Sequence, residues 1–158
     1  MENKNSIIDT HFIQTTPPGE KQQTAMNNRT GMSMVAHSIL NKKIMNSKTI
    51  YLSGPEKNFH EFEKVDKELT AMGFKVINPH VICQSVDPKL FKNEEDYWQH
   101  CMRLCIAELS AFADLLVTLT GWEDNRGAKK EVGVARELGF IPVEHIVAFL
   151  SRYEANAN

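Results

Sequence analysis

The sequence predicts a right-handed three-layer α/β fold, with helices on both faces of a short parallel sheet of about four or five strands. Three observations carry that expectation. From residue 48 onward, short β-prone runs alternate with stretches of helical period. The run Asp114–Leu119 is apolar after its first residue, as a strand covered on both faces reads. Gly or Pro punctuates most of the junctions.

Thr49-Ile50-Tyr51-Leu52 is the first strand, stopped by Ser53-Gly54-Pro55. Phe59, Phe62, Val65, Leu69 and Met72 recur at three- and four-residue spacing and place an apolar stripe on a helix that Gly73 terminates. Phe74–Asn78 is the second strand, closed by Pro79, which lacks a backbone donor. After a connection of roughly 15 residues, Glu94–Phe112 fits a long helix with Tyr97, Cys101, Leu104, Cys105, Leu109 and Phe112 inward. Beyond the Asp114–Leu119 strand, Gly121–Gly127 reads as a polar loop, Ala128–Leu138 as a helix stopped by Gly139, and Phe140–Val143 as a short strand. Ile146, Val147, Leu150 and Tyr153 mark a closing helix.

The 158 residues, 42% hydrophobic and 24% charged, suit one soluble domain. Composition changes near residue 47. Residues 1–47 form a polar leader, thick with Asn, Gln, Thr and Ser, either loosely docked or carrying one short helix over 33–45; Met45 offers an alternative translation start. The domain proper spans 48–154. The formal charge of −2 leaves no broad basic field for polymeric nucleic acid. No apolar run reaches the length of a membrane span, no signal core opens the chain, and the three cysteines suit a reducing compartment, so a cytoplasmic protein is expected.

In an open parallel sheet, ligands bind beyond the C-terminal strand ends. Three polar loops fall there: Ser53-Gly54-Pro55-Glu56, Asn78-Pro79-His80 and Gly121–Gly127. Gly54 permits close backbone approach and Ser53 supplies a hydroxyl for a sugar or phosphate, although Gly54-Pro55 equally marks a plain turn. His80 is placed either to contact a phosphate or base or as an ordinary loop histidine. The third loop gathers Trp122, Glu123, Asp124, Asn125, Arg126 and Gly127 before a helix that carries Glu131. Arg126 suits an anion or an ion pair with the surrounding acids. Glu131 can face the sheet edge near Ser53 or simply complement the helix dipole. Neither Gly-x-Gly-x-x-Gly nor a Walker lysine is present, and His100, Cys101 and Cys105 lack metal-site spacing, so no cofactor or metal is expected and deaminase or kinase-like metal chemistry is disfavoured.

The ordered set Tyr51-Leu52-Ser53-Gly54-Pro55, Asn78-Pro79, Ala113-Asp114-Leu115 and Gly121 to Ala135 resembles the nucleoside 2-deoxyribosyltransferase-like superfamily over about residues 48–144. It looks most like a bacterial and phage branch defined only as a domain of unknown function. The resemblance implies a Rossmann-like fold and cleavage or transfer at the N-glycosidic bond of a (deoxy)nucleoside or nucleoside monophosphate. Glu131 would be the nucleophile and Tyr51 its partner; Ser53, Gly54 and Pro55 would hold sugar or phosphate, and Trp122 would stack on the base. The sequence departs from the family at Cys105, where relatives carry an acid, so Asp124 or Glu123 would protonate the leaving base. A homo-oligomer of at least two copies is implied, with Tyr97, Trp98 or the leader at the contact. The alternative is a noncatalytic nucleotide-binding or sensing domain using the same crevice.

Overall fold

A computed structural model describes residues 47–157. The leader, save its last residue, and its expected helix over 33–45 lie outside the described residues. Strands β1 (Thr49–Ser53), β2 (Lys75–Ile77), β3 (Leu115–Thr118) and β4 (Val143–His145) form one parallel sheet in the order β2-β1-β3-β4. Helices α1 (Phe59–Ala71), α2 (Pro79–Gln84), α3 (Glu94–Phe112), α4 (Arg126–Leu138) and α5 (Ile146–Ala157) flank it. The expected α/β architecture, a small Rossmann-like fold, is present with four strands. Among the described residues no helix is long and apolar enough to cross a membrane.

The period of two along the central strands sorts side chains to two faces. Ile50 and Leu52 of β1, with Leu115 and Val117 of β3, pack against Phe62, Val65 and Leu69 of α1 and Ile146 and Phe149 of α5. Tyr51 and Leu116 point the other way, onto Cys105 and Leu109 of α3 and Val132 and Ala135 of α4. The chain lays β2 on one side of β1 and then returns to lay β3 on the other. That reversal opens a crevice at the C-terminal ends of β1 and β3.

Several boundaries differ from the sequence expectation for identifiable reasons. Pro79 does not merely close a strand: it is the first residue of α2, whose N-cap Asn78 accepts from the His80 N–H at 3.1 Å. β4 starts at Val143 rather than Phe140, because Pro142 has no N–H for the ladder and contributes only its carbonyl, which accepts from the Leu116 N–H at 2.9 Å. Phe140 is accordingly exposed, while Ile141 is buried. α4 begins two residues early, at Arg126, where the Asn125 side chain caps the Ala128 N–H at 2.8 Å. It ends, as expected, at Gly139, whose φ of 73° few other residues adopt. Phe112 is exposed, since the buried stripe Cys101, Cys105, Leu109 continues to Ala113. Val147 is likewise exposed, and Phe149 takes the inward place on α5.

Gly54 is needed for packing rather than for ligand approach alone. A Cβ there would lie 2.9 Å from the Leu119 Cβ and 3.4 Å from the Phe62 ring, both buried. Gly54→Ala is therefore expected to destabilise the fold by about 1–3 kcal/mol in urea denaturation. Gly133, in the interior of α4 with nothing within 4 Å of the added carbon, supplies the contrast: Gly133→Ala should stabilise by about 0.5–1 kcal/mol.

Candidate active site

The site begins with a carboxylate in an apolar stripe. On α4 the inward face reads Ala128, Glu131, Val132, Ala135, all buried, and Glu131 is only 4% exposed. A carboxylate there requires partners. Tyr51 and Ser53, two apart on β1 and so on the same face, provide them: the Tyr51 hydroxyl donates to Oε1 at 2.8 Å and the Ser53 hydroxyl to Oε2 at 2.6 Å. Burial pushes the Glu131 carboxyl above its ordinary value; the Ser53 and Tyr51 hydroxyls pull it back in part, and the nearby charge of Glu56 pushes it further up. Burial, then the Glu131 charge beside it, holds the Tyr51 phenol well above its ordinary range, so it stays a donor.

Glu131 forms part of the wall of a cleft of about 1120 Å³ at the β1 and β3 ends. The β1–α1 turn contributes Gly54 and Glu56; α2 contributes His80 and Cys83; α3 contributes Glu94, Glu95, Tyr97, Trp98, Cys101 and Cys105; α4 contributes Arg126, Gly127 and Ala128. The His80 ring stands edge-on to Phe62 at 4.4 Å and Phe59 at 5.7 Å, with Nε2 buried and without a hydrogen-bond partner. Burial lowers its pKa against the opposing pull of Glu56, favouring the neutral imidazole. The Tyr97 hydroxyl donates to the Cys83 carbonyl at 3.1 Å and ties α3 to α2. Cys83 and Cys105 sulfurs approach to 3.9 Å. The hydrogen bond to Cys105 raises the Cys83 thiol, and burial pushes Cys101 up to about 11, so these two groups remain thiols.

The profile of a domain of unknown function, DUF4406, matches residues 48–144. The chain belongs to this family. No curated protein and no solved structure matches it. Every group of the cleft described above lies inside the matched part of the DUF4406 domain.

The structure brings together Tyr51, Ser53 and Glu131, and places Gly54, His80, Asn125, Arg126 and Gly127 on the same cleft. Pro55 is buried but is not part of the lining. Trp122, Glu123 and Asp124 sit in a short 3-10 turn and do not line the cleft either. Trp122 packs on the α3/α4 core under the Arg136 guanidinium, 5.7 Å from its ring, and Glu123 and Asp124 are exposed. The turn Gly121–Asn125 carries these side chains aside because the helix starts at once behind it. Arg126 forms an ion pair, although not with its neighbours in sequence: its guanidinium grips Glu95 of α3 at 2.8 and 2.7 Å and lies 3.7 Å over the Trp98 ring. That pairing pulls the Glu95 carboxyl down to about 2. Tyr97 and Trp98, expected at a subunit contact, line the cleft, as does Glu56. Their common sequence signal is position: Glu56 follows the first strand end, and Tyr97-Trp98 lies one turn above the inward Cys101.

A lifted Glu131 pKa has a signed consequence for stability. Below its ordinary value near 4.5 both folded and unfolded chains hold the proton, and the group contributes nothing to the difference. As pH rises above that value the unfolded chain ionises first, so native stability falls until the folded carboxyl ionises too. Glu131→Gln removes this slope, leaving only a pH-independent offset from the exchanged hydrogen bond. The stability of the variant relative to the parent should rise between pH 4 and 8 in paired urea melts; a flat difference would contradict the lifted pKa.

Proposed function

We propose that the domain breaks the N-glycosidic bond of a nucleoside or nucleoside monophosphate, with Glu131 as nucleophile. The observation that supports this reading is the Tyr51–Glu131–Ser53 triplet, a buried carboxylate on the cleft wall oriented through both oxygens by two donors that do not themselves line the cleft. Each oxygen keeps a lone pair, and a carboxylate that loses its solvation shell is a stronger nucleophile for an anomeric carbon. An oxygen of Glu131 forms the bond to that carbon as the carbon–nitrogen bond breaks, its electron pair leaving with the base. Water then attacks the glycosyl ester and releases the sugar and Glu131; a second base in place of water completes a transfer. The resemblance to the nucleoside 2-deoxyribosyltransferase-like superfamily assigns the same role to Glu131 and a partner's role to Tyr51.

A second reading, nucleotide binding without bond cleavage, draws on the position of the loop acids. Glu123 and Asp124 are exposed and do not line the cleft, so neither is placed to meet a leaving base there. Incubation with deoxynucleosides and their monophosphates, with and without free bases, separates the readings by product chromatography. Free base without acceptor indicates hydrolysis, acceptor-dependent exchange indicates transfer, and binding without product favours the second reading. With turnover present, Glu131→Ala is expected to lower kcat by about three orders of magnitude or more, and Tyr51→Phe by about one to two. Undiminished turnover in Glu131→Ala would remove the nucleophile assignment.

A further inference from the structure

The charge of the cleft and the position of its acids point to one class of substrate. Four carboxylates line it, Glu56, Glu94, Glu95 and Glu131, and among the lining side chains Arg126 is the single Lys or Arg. Arg126 is already committed: both of its terminal nitrogens bond Glu95, and its plane covers Trp98. His80 adds no full charge in its neutral form. Glu56 and Glu94, both exposed, and Glu131 remain without an ion-pair partner among the described residues. The turn after β1 is also poor in anion donors, since Pro55 has no N–H and the Ser53 hydroxyl is spent on Glu131. A phosphate would meet this negative field with only backbone N–H groups, chiefly at the start of α4, to offset it, and a cation would be drawn in.

The second observation concerns the leaving group. A neutral base departs as an anion unless an acid protonates it, and a carboxyl that holds its proton near neutral pH needs burial. Glu131 is the one buried carboxyl of the cleft, and it is the nucleophile; Asp124 and Glu123 face elsewhere. A base that already carries a positive charge on its glycosidic ring needs no proton. When the carbon–nitrogen bond breaks, its electron pair neutralises the ring, and a neutral base leaves as Glu131 bonds the anomeric carbon.

We propose that the cleft selects an unphosphorylated nucleoside whose base is permanently cationic, of the N-ribosylpyridinium or N7-alkylpurine class. This rests on the glycosidic reading of the site. The cationic ring also acts on the nucleophile, since positive charge brought beside the buried Glu131 carboxyl favours its ionised form.

The test uses the full chain and ligands matched in shape. Nicotinamide riboside is compared with its reduced, uncharged form and with its 5′-monophosphate, and 7-methylguanosine with guanosine. Binding is measured by calorimetry on Glu131→Gln, which cannot turn substrate over, and base release is measured on the parent chain against Glu131→Ala and enzyme-free controls. The cationic nucleosides should bind about tenfold or more tighter than the neutral forms and the monophosphate, with the gap narrowing as salt rises. Glu56→Gln should narrow it as well. Equal or tighter binding of the neutral forms or the monophosphate overturns the charge selection, whether or not they are cleaved. Preferential binding of the cations without base release sinks the glycosidic reading and leaves the selection standing. If none of the compounds binds, both fall.

Discussion

The carboxylate of Glu131, held out of water between the hydroxyls of Tyr51 and Ser53, joins α4 to a strand 80 and 78 residues earlier in the chain. Both donors come from alternate positions of β1, so the arrangement exists only in one strand register. A slip of one residue would turn Ile50 and Leu52 toward the carboxylate and bury it among methyl groups. The sheet pairing that prevents this is supplied on both sides, by β2 at Ile50–Val76 and by β3 at Ser53–Thr118. The core on the α1/α5 face secures the register in turn, because Ile50, Leu52, Leu115 and Val117 have apolar partners only there. Packing on one face of the sheet thus fixes chemistry on the other.

That chemistry opposes stability. Removing a carboxylate from water costs several kcal/mol, and two hydroxyl donors offset only part of it, as the upward direction of the Glu131 pKa records. Val132 or Ala135 at the same place would fill the stripe without penalty, as they do one residue and one turn further along α4. The helix dipole gives little relief, since Glu131 lies beyond the first turn. A buried acid of lifted pKa at the wall of a cleft at the strand-order reversal is the pattern that marks a candidate functional site. The surrounding ties are of another kind: the Arg126–Glu95 fork joins the starts of α4 and α3 through exposed partners, and Tyr97 joins α3 to α2 through a part-buried hydrogen bond, ties of modest energy that shape the wall.

How far the sequence carried depended on how local the controlling physics was. Strand β1, helix α3 and the stop of α4 were legible because apolar period and punctuation act within a few residues: Ser53-Gly54-Pro55 and Gly139 each sit at the boundary they create. α2 was hidden because Pro79 signals both a strand end and a first helical residue, and only the Asn78 cap before it distinguishes the two. The displaced β4 has the same origin, a proline read as the interior of a strand when its missing donor places it before one. At the site, Tyr51, Ser53 and Glu131 were legible through their place in the strand and helix periods. The side of the loop on which Trp122 and Asp124 fall was not, because it depends on where α4 starts and on a Trp98–Arg126–Glu95 contact spanning 31 residues.

Placement of the acids matters more than their number. The 111 residues after the leader carry a formal −4, a figure that by itself excludes neither an anionic nor a cationic ligand. Once Arg126 is tied to Glu95, the cleft has no unpaired lysine or arginine on its described walls, while Glu56 bears on the potentials of Glu131 and His80 together. The negative charge of Glu56 makes ionisation of the Glu131 carboxyl harder, and positive charge placed beside that carboxyl relieves it. On the proposed glycosidic reading, the ligand that favours Glu131 as nucleophile is one that brings positive charge with it, or develops that charge at the anomeric carbon as the bond to the base lengthens.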